Sequence, residues 1–372
     1  MSFESGSTSL MICPLSGELP EDFLERLAKY SAGKLDDVKE DPVIGWVSGR
    51  HLLETEISEN TSICGGHLYV NLRKAERKIP AQLLNAICRR EELAYMMAND
   101  TLTVPRSEKR RIKEDAVERN LMKMPPNISA TAMVVDRTAQ VMYLACSSAS
   151  QFDVFAAEFV RALEVEPVPL SPNELMLKLF QKSETDLPAL SFTSKSGAED
   201  EAMPGRDFLT WLWFYSEQNL GVLKLADLGE FTIALEGPLT FAFSNGKSKD
   251  PDLSGAGESV VKKGNPLTSA EAKAALAVGK KLKKAKIMIA RGDAEKWTFG
   301  FDADTFALSG LNLPEGEEME RHSRFQERVT NLGILHQVLC GYFELFAKSL
   351  QGDRLKKTQE AIRLWAKERE SL

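Results

Sequence analysis

Between Val261 and Arg291 the chain carries nine basic residues, Lys262, Lys263, Lys273, Lys280, Lys281, Lys283, Lys284, Lys286 and Arg291, against a single acid, Glu271. Like charges repel, so a fold must give such a stretch either free solvent or an anionic partner. The whole protein has a formal net charge of −7. The stretch is +8, which leaves −15 on the rest, so positive charge is gathered rather than spread.

Its local design is legible. Thr268-Ser269-Ala270-Glu271 has the form of a T-x-x-E capping box, and the alanines from Ala270 to Ala277 extend a helix at little entropic cost. Gly279 suits the left-handed position that closes a helix. Leu282 to Ile289 then turns increasingly apolar, as a strand does on entering a sheet. A capped helix is thus expected to deliver a lysine knot onto a strand. Its blander reading is a solvated face, but solubility faces usually mix signs and this one does not.

At 372 residues the chain has room for two or three domains. It contains no apolar run long enough for a membrane span, and its first ten residues lack the form of a secretion signal. Five scattered cysteines, none in a C-x-x-C pair, read as reduced thiols of a cytoplasmic protein.

Along the chain, strands are expected at 8–15, 43–47, 67–74, 131–136 and 140–146, with helices at 18–30 and 151–163. This order predicts an antiparallel sheet with helices on one face. Trp46 and the stripe of Phe152, Phe155 and Phe159 read as core. Arg73, Lys74, Arg77 and Lys78 make the end of the fourth of these elements basic. Residues 79–121 read as helical and carry Arg106, Lys109, Arg110, Arg111 and Lys113, with few apolar positions to bury. They are expected to project. Pro167 to Pro172 reads as a hinge. Beyond it come an aromatic helix at 206–217, a hairpin about Gly237-Pro238, strands at 282–290, 296–301 and 305–311, a long helix at 317–350 and a charged helix at 354–370. The fold class expected is therefore α+β, built of antiparallel sheets with packed helices. Its parts are a centre at 1–78 and 125–166, a helical arm at 79–124 and a base at 167–372.

No metal-ligand spacing joins the four histidines and five cysteines, and no P-loop, dinucleotide fingerprint or nucleophile elbow occurs. The acidic triplet Glu199-Asp200-Glu201 is contiguous and reads as a solvated loop rather than a metal site. The expectation is a non-enzymatic binder with no cofactor and no metal.

The order of these features resembles the RdgC family of recombination-associated bacterial DNA-binding proteins. The resemblance is carried by Gly45-Trp46-Val47, by Leu72 to Pro80, by Met124-Pro125 before Val134-Val135-Asp136, by Pro167-Val168-Pro169-Leu170, and by Leu267-Thr268-Ser269-x-Glu271 followed by Gly279-Lys280. It implies a horseshoe monomer that dimerises into a ring around double-stranded DNA, with a basic channel blind to sequence, in a nucleoid-associated protein that limits access of the RecA recombinase. By the family's motif Lys263 and Lys280 would line the channel. The chain departs from the family at the arm's end, where Pro126, Asn127 and Ile128 stand in place of a protruding aromatic. Candidate DNA-binding residues are Lys262, Lys263, Lys280, Lys281, Lys283, Lys284, Arg73, Lys78, Arg110 and Arg111, with single-stranded DNA as a further possible ligand. Two other readings compete with this one, a DNA exonuclease or other metal-dependent DNA-processing enzyme, and a scaffold whose lysines meet an acidic protein.

Overall fold

The computed structural model describes residues 3–193, 202–243, 257–262, 266–314, 316 and 320–370. The elements in order are β1 (Thr8–Pro14), α1 (Phe23–Lys29), β2 (Val43–Ser48), α2 (Glu59–Ser62), β3 (Ile63–Cys64), β4 (His67–Glu76), α3 (Ala81–Ala98), α4 (Arg106–Leu121), β5 (Asn127–Asp136), β6 (Val141–Leu144), α5 (Ala149–Leu163) and α6 (Pro172–Phe180). They continue as α7 (Pro204–Gln218), β7 (Val222–Leu225), β8 (Gly229–Ala242), β9 (Glu258–Val261), α8 (Ala270–Ala277), β10 (Lys281–Arg291), β11 (Glu295–Asp302), β12 (Leu308–Asn312), α9 (Arg321–Ser349) and α10 (Asp353–Glu370). The protein is α+β, as its sequence leads one to expect.

All these strands join one antiparallel sheet of order β2-β4-β5-β6-β1-β12-β11-β10-β8-β7, with β3 beside β4 and β9 beside β8. The strand at its centre is β1. Met11 to Pro14 pair with β6, and Thr8 and Leu10 pair with β12. Because side chains alternate along a strand, Leu10 and Ile12 enter the larger core while Met11 and Cys13 enter the smaller. A single seven-residue strand therefore supplies both cores and joins the two halves of the sheet.

The half made of β2, β4, β5 and β6 is covered on both faces. On one side Phe155 and Phe159 of α5 pack edge-on to Trp46, with Phe23 and Leu27 of α1 beside them. On the other, Phe325 of α9 stacks on Tyr69, whose ring also meets Phe3 edge-on. The expected one-sided packing is thus incomplete, because the first turns of α9 come from far along the chain. Among the described residues the second half is covered by helices on one face only. There α7 is buried over ten consecutive residues, Gly205 to Phe214, between the sheet and the helices α9 and α10. The opposite face carries Thr232, Glu236 and Thr240 of β8, Lys284 and Lys286 of β10, Thr298, Gly300 and Asp302 of β11, and Ser309 of β12.

Two local expectations are corrected. The hairpin at Gly237-Pro238 is one continuous strand, β8, and its hairpin partner is β9 instead. The cap of α8 is Ser269, whose hydroxyl accepts from the Ala272 amide at 3.1 Å, while Thr268 belongs to the turn before it. The helical region expected at 79–121 is present, as the two helices α3 and α4. They pack on each other with almost no core, since α3 has no buried residue and α4 buries only Ile112 and Ala116. Arg77 fastens the root of this arm by donating to the carbonyls of Val38 and Met124.

Candidate nucleic-acid interface

The lysine knot forms as its sequence foretells, with Gly279 at φ +87° releasing α8 into β10. What the sequence conceals is its company. Lys280 is 7% exposed; its ammonium donates to Ser259 Oγ at 2.6 Å and lies 4.9 Å from the centre of the Phe243 ring. Lys281 lies 2.5 Å from Asp207, with both side chains enclosed. Lys283 meets Glu258 at 2.5 Å and Asp304 at 4.0 Å, Lys284 meets Asp302 at 2.8 Å, and Lys286 meets Glu236 at 2.7 Å. The acids come from α7, β8, β9 and the end of β11, all remote in sequence. A run that is one-signed along the chain is therefore largely neutralised across the sheet. The same pairing acts on titration: the Lys284 ammonium is held above its ordinary range by the Asp302 hydrogen bond, and Glu258 is held below its own by Lys283.

Beside this knot the start of α7 adds Arg206, whose Nε and Nη2 donate to the two oxygens of Asp304 at 2.6 and 2.8 Å. Its Nη1 donates to the Phe243 carbonyl. The buried Lys281–Asp207 pair holds α7 to β10, while Arg206 ties the start of α7 to Asp304 and to the end of β8. That is a structural role for charges the sequence offers as a surface.

The remaining candidates divide by exposure. Arg73 is 1% exposed and donates to the carbonyls of Leu52 and Gly33, with burial lowering its pKa. Its guanidinium faces protein, not solvent. Lys78 and Lys262 are exposed, and Lys263 lies outside the described residues, as does the Glu199-Asp200-Glu201 triplet. Arg110 and Arg111 are exposed and pair with Glu114 and Glu108 on their own helix. Such exposed pairs contribute little and exchange readily for other anions.

Two of the regions that carry these candidates present rows of cations to solvent. On the open face of the second half-sheet, Lys284 and Lys286 border a concavity of about 430 Å³ shared with Ser147, Thr240, Asp302 and Ser309. On α4, residues Arg106, Lys109, Arg110 and Lys113 follow the i, i+3, i+4, i+7 spacing of one helix stripe and all are exposed. Among the described residues Arg106, Lys109 and Lys113 have no ion pair. Lys113 and Arg110 also line a second concavity of about 770 Å³ with Glu40, Glu114 and Glu118. A periodicity count over 106–113 would have found this stripe, whereas counting charge per window favours β10.

Among the described residues, no three His, Cys, Asp or Glu side chains are grouped so as to hold a metal ion. None of the described helices is long and apolar enough to cross a membrane.

An α+β sheet protein with a slender basic helical arm is the class that this geometry defines. Residues 18–180 match the family model described as "Putative exonuclease, RdgC". The matched part of the chain, which holds α1 to α6 and the whole arm, is similar to that family. None of the curated proteins matches the chain.

Proposed function

We propose that this protein binds double-stranded DNA without sequence preference, in a recombination-related role, as a ring-shaped homodimer that limits access of the RecA recombinase. The observation that carries the reading is the RdgC-family match over residues 18–180. The exposed cations of α4 and of the open sheet face support it, since a sequence-blind binder needs rows of cations toward phosphate rather than side chains toward base edges. An acidic remainder keeps the molecule from coating itself with nucleic acid.

The apolar surface of the arm supports the dimer. Leu83, Leu93 and Met97 lie along the outer side of α3 with Leu102 just beyond it, at 41%, 44%, 85% and 97% exposure. Leucine and methionine so exposed, on a helix pair without a core, favour burial against a second copy. The test is a DNA mobility shift across salt, paired with a mass measurement in solution. The expected result is a dimer whose affinity falls linearly in log salt. A salt-insensitive complex, or none at physiological salt, would overturn the reading.

The description of the matching family model favours a second reading, an exonuclease. End-labelled duplex incubated with magnesium or manganese distinguishes the two, because progressive shortening would establish hydrolysis and an intact duplex would leave binding alone.

A further inference from the structure

The last helix, α10, also presents a row of exposed cations. The inner side of α10 is anchored. Ile362, Trp365 and Ala366 are buried, and the Trp365 indole donates to Glu217 Oε2 at 2.8 Å while the Trp213 indole donates to Glu217 Oε1 at 2.7 Å. Gln359 exchanges hydrogen bonds with the backbone of Ser191, and Thr358 donates to the Ser349 carbonyl. One carboxylate gripping two indoles fixes the rotation of α10 about its own axis.

That rotation turns Lys356, Lys357, Arg363 and Lys367 outward, and all four are exposed. Spacings of seven and four residues keep Lys356, Arg363 and Lys367 on one stripe with Lys357 at its edge, interrupted by one acid, Glu360, and one exposed large apolar residue, Leu364. None of the four forms an ion pair among the described residues. The contrast with β10 is direct. There Lys281, Lys283, Lys284 and Lys286 each meet an acid of the same chain, although the protein has more acids than bases, 54 against 47. Arg363 and Lys367 stand one turn apart, an arrangement that destabilises a helix unless an anion lies between them.

We infer that the outward stripe of α10 is a second contact surface for the phosphate backbone of duplex DNA. The stripe spans about 16 Å along the helix, matching roughly five base pairs of axial rise. A protein partner would need an apolar centre to exclude water, and Leu364 alone does not make one. A membrane would need the apolar side of the helix, which is occupied by the core. Phosphates need only the row of cations.

This inference rests on the DNA-binding reading, and the experiment separates the two. The full chain and a variant carrying Lys356→Ala, Lys357→Ala, Arg363→Ala and Lys367→Ala are titrated against a short labelled duplex over a range of potassium chloride. Loss of four phosphate contacts should flatten the slope of log affinity against log salt by roughly 3 to 4, with thermal unfolding unchanged. A second variant, Lys356→Arg, Lys357→Arg and Lys367→Arg, should keep the parental slope because it keeps the charge. If the parent protein binds and the alanine variant shows the same slope, the stripe is not a DNA contact while the DNA-binding reading stands. If the alanine variant loses binding and the arginine variant loses it equally, charge is not the cause and the inference falls. If the parent protein does not bind duplex at all, both fall together.

Discussion

The ammonium of Lys281 lies 2.5 Å from Oδ1 of Asp207, with only 7% and 2% of the two side chains exposed. Lysine and aspartate removed from water tolerate each other, but neither tolerates being left alone. Lys281→Ala should therefore lower unfolding stability by about 3 to 5 kcal/mol, read by urea denaturation. The double variant Lys281→Met, Asp207→Leu should recover most of that loss. Equal denaturation midpoints for the parent and Lys281→Ala would show the pair to be solvated.

Arg73 separates burial from binding. Its guanidinium satisfies two backbone carbonyls from inside the fold, so Arg73→Met should leave acceptors unpaired and cost about 1 to 3 kcal/mol. Duplex affinity measured below the melting transition should remain within twofold of the parent protein. A loss of affinity with unchanged stability would return Arg73 to the interface.

The arm makes the opposite prediction. Arg106→Ala, Lys109→Ala and Lys113→Ala together remove three unpaired exposed cations from α4. Stability should change by no more than about 0.5 kcal/mol, and the salt slope of DNA binding should flatten by roughly 3. Anisotropy titrations with the triple variant give both the slope and the affinity. An unaltered slope would remove α4 from the phosphate-binding surface.

His336 on α9 is buried, its Nε2 has no hydrogen-bond partner, and desolvation, with Lys178 adding to it, lowers its pKa to about 4. The unfolded chain, with an ordinary histidine near pH 6.5, binds the proton first as acid is added. Stability from this residue is therefore complete above pH 6.5 and is lost as pH falls toward 4, by at most about 1.4 kcal/mol per pH unit. Replacing it, as His336→Leu, should flatten the acid limb of the stability profile over that window. An unchanged limb would mean that the imidazole titrates normally in the folded protein.

Much of the architecture could be read from local pattern. Alternation gave β4, although both of its faces are buried rather than one, the phenylalanine stripe gave α5, and apolar residues around most of the circumference of the 206–217 segment announced a helix buried on several sides. The misread positions share a cause. Pro238 looks like a turn when only its neighbours are weighed, yet β10 holds the chain extended on both sides of it. The lysine knot looks unpaired because Asp207, Glu236 and Glu258 lie far from it in sequence and next to it in the sheet. Charge in a helix escapes this ambiguity, since its neighbours are three and four positions away. The stripe on α4 was therefore within reach of the sequence, and the pairing on β10 was not.

The strand β1 carries one more implication. Thr8 pairs with Leu311, about 300 positions later, and Leu10 with Leu308. During synthesis β1 can dock on β6 early but must keep one flank bare until β12 has emerged. Closure of that seam is thus the late event of assembly, and a shortened chain ending before Leu308 would keep an adhesive edge.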